Sequence, residues 1–144
     1  MVIALIGESC VGKSTIADRI KSEKNAAVYT GKDYLKLAKN EADAQKAFTR
    51  LLLEAQDAPE VIVCVISENE QLALLPQRAV RVLVTADLQT IKDRFAKRTG
   101  GTLPPPVEAM LERKHGMFDR IACDYHYVNG QDDTDEIIKI ISVI

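Results

Sequence analysis

Val2-Ile3-Ala4-Leu5-Ile6-Gly7-Glu8-Ser9-Cys10-Val11-Gly12-Lys13-Ser14-Thr15-Ile16-Ala17 follows the first methionine, and the reading of this stretch decides the fold. Val2 to Ile6 is a continuous apolar run, the pattern of a strand buried on both faces. Gly7 to Thr15 matches G-x-x-x-x-G-K-[ST] in full, and Ile16, Ala17 and Ile20 then fall on one side of a helix. Strand, glycine loop and helix together imply triphosphate binding. The glycines allow successive backbone N–H groups to turn toward phosphate oxygens, Lys13 supplies a point charge, and the Ser14 hydroxyl is a ligand for Mg²⁺. Gly7, Glu8, Ser9, Cys10, Val11, Gly12, Lys13, Ser14 and Thr15 are therefore the candidate nucleotide-binding residues. The bland alternative is a tight turn packed for stability.

The chain has 144 residues, enough for one domain with its own core, taken as 1–144. Its formal net charge of −2 and lack of a long basic run argue against a nucleic-acid partner. No apolar stretch reaches the length of a membrane span and no signal peptide is evident, so no membrane association and a cytoplasmic location are expected. Cys10, Cys64 and Cys123 lack C-x-x-C spacing and are odd in number, which points to reduced thiols. Cys10, in the loop beside Lys13, reads either as an acidified thiol or as a small space-filling side chain.

Outward from the loop, strands and helices alternate. Short apolar runs at Ala26–Tyr29, Val61–Ile66, Val80–Val84 and Tyr125–Val128 read as four further strands. Between the second and third, Leu35 to Ala55 repeats at near-helical spacing with Asn40 as a possible break. Helices are also predicted at Asp87–Thr99, stopped by Gly100-Gly101, and at Asp135–Ser142. Repeated βα units give an α/β fold, a parallel sheet sandwiched by helices, with ligands beyond the carboxyl ends of the strands.

Residues just after each strand are thus the candidates for chemistry. Asp33 follows the second strand, where it is placed to hold Mg²⁺ or to accept a proton from an incoming hydroxyl; as an Asp before a helical run it equally reads as a cap. Glu68 follows the third strand and is either a carboxylate orienting Mg²⁺ or an acidic residue in a helix first turn facing Leu72, Leu74 and Leu75. Arg94 and Arg98 are spaced i,i+4, so one helix face carries two guanidinium groups suited to the charge that builds during phosphoryl transfer. The broken polar segment Thr99–Pro106 beside them suggests a short lid over about residues 94–107. His115 and His126 have no partner at metal-ligand spacing and read as ordinary surface or core residues.

The order of phosphate loop, Thr30-Gly31-Lys32-Asp33-Tyr34-Leu35-Lys36, arginine-bearing segment and terminal Asn129-Gly130 resembles the nucleoside monophosphate kinases and their shikimate and gluconate kinase relatives, over nearly the whole chain. The resemblance implies a P-loop nucleoside triphosphate hydrolase fold, a three-layer sandwich around a five-stranded parallel sheet of order 2-3-1-4-5. It also implies ATP and Mg²⁺ as cofactors, and a small phosphoryl acceptor held by a helical segment about 33–58. By resemblance Thr30, Asp33, Lys36, Arg98 and Arg113 bind the acceptor, Arg94, Asn129 and Gly130 contact the nucleotide, and Lys13, Asp33, Arg94 and Arg98 are catalytic. Ser14, Asp33 and Glu68 complete the metal site. The third strand departs from the pattern, closing in Ser67-Glu68-Asn69 where adenylate kinases have Asp-Gly and shikimate kinases a glycine triplet. Lys36 stands where adenylate kinases carry arginine. The expected activity is transfer of the ATP γ-phosphate to a nucleoside monophosphate or similar acceptor. A shikimate- or gluconate-type kinase and a non-catalytic nucleotide-binding module are the alternatives. Monomer and homodimer both remain open.

Overall fold

The apolar runs become β1 (Val2–Ile6), β2 (Ala27–Thr30), β3 (Ile62–Ile66), β4 (Val80–Thr85) and β5 (Tyr125–Val128) in a computed structural model that describes residues 1–143. They form one five-stranded sheet in the order β2-β3-β1-β4-β5, every pair parallel, as expected from the sequence. Each residue of β1 and β3 is buried, which is why these two strands show no alternation of apolar and polar residues. Ile3, Leu5, Val63, Val65 and Val82 face one way, onto Ile16 and Ile20 of α1 (Lys13–Lys24) and Ile137 and Ile141 of a C-terminal helix. Val2, Ala4, Ile6 and Cys64 face the other way, onto Phe48, Leu52, Tyr34 and Phe118. The sheet is thus the middle of three layers.

The run expected from Leu35 to Ala55 splits at Asn40. Its first part is a 3-10 turn, Asp33–Leu37, and its second is α2, Glu41–Ala55, with the Asn40 side chain accepting from Asp43 N at 2.9 Å as the N-cap. The turn buries Tyr34, whose ring stacks on Phe48 at 5.3 Å, while Tyr29 meets the same phenylalanine at 5.0 Å. After β3 the helix predicted from Ser67 is one turn long, α3 (Asn69–Leu72), and Leu74 and Leu75 pack against the core beyond its end.

The expected lid segment, about 94–107, takes in the end of α4 (Leu88–Arg98), residues 99–104 outside any helix, and the start of α5 (Pro105–Lys114). Gly100 and Gly101 take left-handed φ values of 91° and 96°, and Thr99 Oγ1 donates to Thr102 O at 2.9 Å. Lys92 on α4, with 15% of its side chain exposed, pairs with Glu108 at 3.0 Å and Glu112 at 2.6 Å on α5. The polar segment 99–104 thus joins two helices held together by these ion pairs. The last helix is α6, Thr134–Val143.

Gly7 follows β1 between β3 and β4. Its N–H donates to Ile66 O at 3.1 Å, and a Cβ at this position would lie 2.4 Å from Val84 O on β4 and 2.9 Å from Val11 Cγ2. The nearer atom is backbone, so side-chain rotation does not relieve the clash. Gly7→Ala is expected to lower stability by about 1–3 kcal/mol through displacement of β4, read as a lower Tm and denaturation midpoint; an unchanged midpoint would show that the strands separate freely at this point.

Candidate functional site

Backbone conformation builds the site first. Between β1 and α1 the chain passes through left-handed positions at Cys10 (φ 67°) and Gly12 (φ 102°) before the helix opens at Lys13. Cys10 is buried and has no glycine's freedom, so its conformation is held by its surroundings. Those surroundings are visible. Arg94 Nη1 donates to Cys10 O at 3.1 Å and Asn129 Nδ2 donates to Val11 O at 2.9 Å.

Lys13 is the one buried charged side chain among the described residues, 5% exposed. Its ammonium donates to Gly7 O, to Glu8 O at 2.8 Å and to Ser67 Oγ at 2.8 Å, which supplies three oxygens in place of water. None of these is charged. Burial accordingly lowers its pKa from 10.5 to about 8, with Arg98 pushing the same way and the Glu8 carboxylate opposing.

In front of the loop lies a cavity of about 400 Å³, lined by residues from Ser9 to Thr15, by Thr30 and Ser67 at the ends of β2 and β3, by Val65, and by Arg94 and Arg98. Phosphate loop, strand ends and both arginines thus line one cavity. Ser14 and Thr15 are exposed at the start of α1. Arg98 is exposed on the last turn of α4 and makes no protein hydrogen bond or ion pair among the described residues.

Several expected residues do something else. Asp33 Oδ2 accepts from Thr30 N at 2.9 Å, so the carboxylate closes the turn after β2 and stays off the cavity wall. Glu68 stands at the N-cap position of α3 with its carboxylate 3.6 Å from Lys114, and the Gln71 amide oxygen accepts from Ser67 N and Glu68 N. Lys36 and Arg113 are exposed and contribute nothing to the cavity wall. Lys46 and Arg50, a second i,i+4 pair, line a separate hollow on α2. Asn129 reaches the site by its side chain, and Gly130 (φ 95°) is the left-handed turn that follows.

Ser67 is a site residue outside the expected set, and Glu8, within it, contributes through its side chain. Ser67 was passed over for its acidic neighbour, although a small hydroxyl at the end of a central parallel strand is well placed to meet a lysine from the next loop. Glu8 was read as loop backbone, yet its side chain is 11% exposed, accepts from Gly116 N at 2.7 Å and meets His115 Nδ1 at 3.1 Å. It ties the loop to the end of α5. No sequence spacing announces a contact across that distance. Among the described residues no cluster of His, Cys, Asp and Glu is suited to a metal ion, the three cysteines are free, and no helix is long and apolar enough to cross a membrane.

No family model and no curated protein sequence matches the chain. Solved structures do. An uncharacterized protein from Eubacterium ventriosum aligns over 100% of this chain and 99% of its own length, at TM-score 0.69 and 18% identity. The YorR protein of Bacillus subtilis, solved in complex with phosphorylated GDP, covers 99% of this chain and 94% of its own at TM-score 0.64 and 21% identity. Shikimate kinase from Acinetobacter baumannii, in complex with shikimate, covers 99% and 91% at TM-score 0.65 and 15% identity. At such identities the likeness is one of fold, and the fold is that of the P-loop kinases. The narrower likeness to nucleoside monophosphate kinases gains nothing from these matches.

The lowered Lys13 pKa sets a pH dependence. Between about 8 and 10.5 the unfolded chain holds a proton that folded Lys13 has lost, so stability from this group rises with pH across the window. Phosphate binding favours the ammonium, so affinity for ATP should fall over the same window. The difference in ATP affinity between the protein and its Lys13→Met variant should shrink from pH 7 to pH 10 in calorimetry; a constant difference would place the lysine pKa elsewhere.

Proposed function

We propose that this chain is an ATP-dependent small-molecule kinase whose acceptor is a hydroxylated metabolite. One observation carries the reading: the phosphate loop, the ends of β2 and β3, and two arginines of α4 line a single cavity. Donor and acceptor are then held side by side, as in-line transfer requires. The fold shared with kinases supports the same reaction class.

In this reading the backbone of Gly7 to Gly12 and the positive end of α1 hold the triphosphate, and Lys13 leaves its loop carbonyls for phosphate oxygens. Arg98, which has no protein partner among the described residues, brings positive charge to the other side of the transferred group, beside an Arg94 engaged with the loop. The residues also fit Mg²⁺ held mainly by phosphate and water, because Ser14 is exposed on the cavity wall and would offer its hydroxyl. When bound, the ion supplies neutralisation of charge on the β- and γ-phosphates. Asp33 Oδ2 accepts from Thr30 N, and the half-exposed Glu68 carboxylate lies 3.6 Å from Lys114.

The chemistry of the wall separates the possible acceptors. Beyond the loop and the arginines it offers Thr30, Val65 and Ser67, all uncharged. Lys36 and Arg113, which would grip an acceptor phosphate, lie outside it. A nucleoside monophosphate brings a dianion that needs cations of its own, whereas a polyol or sugar needs hydroxyl partners such as Thr30 and Ser67. Neutral hydroxylated compounds are favoured on that ground. Asp33 acts by shaping the turn that presents Thr30.

Lys13→Ala should abolish stabilisation by MgATP in a thermal melt, and a panel of neutral polyols, sugar acids and nucleoside monophosphates scored for ADP release should give turnover with the neutral class. ATP binding without turnover anywhere in the panel would favour the non-catalytic module. Asp33→Asn, which keeps an oxygen for Thr30 N, should retain most turnover with the acceptor so found, and Asp33→Ala should lose about tenfold; equal, severe loss in both would make Asp33 the proton acceptor instead.

A further inference from the structure

Asn129 and Arg94 approach the phosphate loop from two different βα units and meet each other there. Arg94 Nη1 donates to Cys10 O at 3.1 Å, Asn129 Nδ2 donates to Val11 O at 2.9 Å, and Arg94 Nη2 reaches Asn129 Oδ1 at 3.5 Å. The backbone of Asn129 is itself fixed, since its N–H donates to Thr85 O at 2.8 Å and the following turn is closed by Asp132 N to Val128 O at 2.9 Å. Fit over the loop is close: a Cβ on Gly12 would lie 2.1 Å from Asn129 Nδ2.

A trans peptide is planar, with its carbonyl and N–H pointing in opposite directions. Holding Cys10 O and Val11 O therefore fixes the N–H groups of Val11 and Gly12 on the opposite side. Those N–H groups are among the donors that a phosphate cradle needs. Arg94 has thus committed one of its donors to the loop, whereas Arg98, one turn later on the same cavity wall, has all of its donors free.

We propose that Asn129 and Arg94 form a clamp that sets the peptide orientation of the phosphate loop, which leaves Arg98 as the α4 cation that meets the transferred phosphate. The proposal rests on the kinase reading for the role of Arg98, and on the hydrogen bonds alone for the clamp. Asn129 and Arg94 are positioning residues. Both hold carbonyls, and the amides on the other side of those peptides do the binding.

The test is a double-mutant cycle on MgATP affinity, measured by calorimetry without any acceptor. Asn129→Ala and Arg94→Ala should each weaken binding about tenfold, and the double variant should be little worse than either alone. Asn129→Asp preserves volume and the acceptor for Arg94 but loses the donor to Val11 O, and should weaken binding as much as Asn129→Ala. Arg98→Ala combined with Asn129→Ala should be additive, because Arg98 makes no contact with the clamp. Arg94→Lys, which restores one donor, should recover part of the affinity. Additive losses for Arg94 and Asn129, or wild-type affinity in both Asn129 variants, would overturn the clamp. Hydrogen exchange at the Val11 and Gly12 amides of the nucleotide-free protein is the parallel readout. It should rise in Asn129→Asp and in Arg94→Ala, and unchanged exchange overturns the clamp whether or not the protein binds ATP. A protein that binds no MgATP while these amides do respond would defeat the kinase reading and leave the clamp standing.

Discussion

Peptide orientation between Gly7 and Lys13 is the constraint on which the rest of this molecule depends. A run of amides that face one way needs left-handed turns, and here they occur at Cys10 and Gly12. Such turns cost a residue with a Cβ of order 1–3 kcal/mol and persist only where neighbours over-determine them. Every layer of the fold contributes a neighbour. Gly7 is wedged between β3 and β4, Glu8 is tied to Gly116 after α5, Cys10 O is held from α4, and Val11 O is held from the end of β5. Burial of β1 on both faces gives this lattice a fixed origin, because a central parallel strand cannot slide without dragging β3 and β4 with it.

Electrostatics follows from that geometry. A loop whose amides turn inward toward a ligand must send carbonyls elsewhere, and those of Gly7 and Glu8 converge on the Lys13 ammonium. Carbonyls and a serine hydroxyl solvate the charge incompletely, hence its weakened hold on the proton. A triphosphate offers the same ammonium anionic oxygens. Ser67 sits at the exchange point, since its hydroxyl faces both the lysine and the cavity.

What could be read from the chain was whatever the backbone encodes locally. The five apolar runs gave the strands, and Gly7, Gly12 and Lys13 gave the loop, because each depends on a residue and its immediate neighbours. Arg94 and Arg98 were placed on one cavity by i,i+4 spacing after a parallel strand. Less legible is a side chain's choice between a near partner and a distant one. Asp33 took the nearby Thr30 amide and Glu68 stands at the N-cap position of α3, the end-of-element alternatives that the sequence left open for both. Glu8 took a partner from the far end of α5, and Lys92 holds α4 to α5 through Glu108 and Glu112. Those contacts depend on how helices dock, which no local pattern reports.

Position along the helix divides the work of α4. Arg94 lies within the helix, one turn back from its end, above a loop it helps to hold; Arg98 is the final helical residue, followed by Thr99 and two left-handed glycines. The end of α4 is closed by Thr99 and Gly101, whose N–H groups donate to Phe95 O and Ala96 O, and its body is pinned by the buried Ile91 and by the Lys92 ion pairs. The two arginines differ in restraint even so: Arg94 is hydrogen-bonded to Cys10 O and Asn129, whereas Arg98, on the same cavity wall, has no protein partner among the described residues.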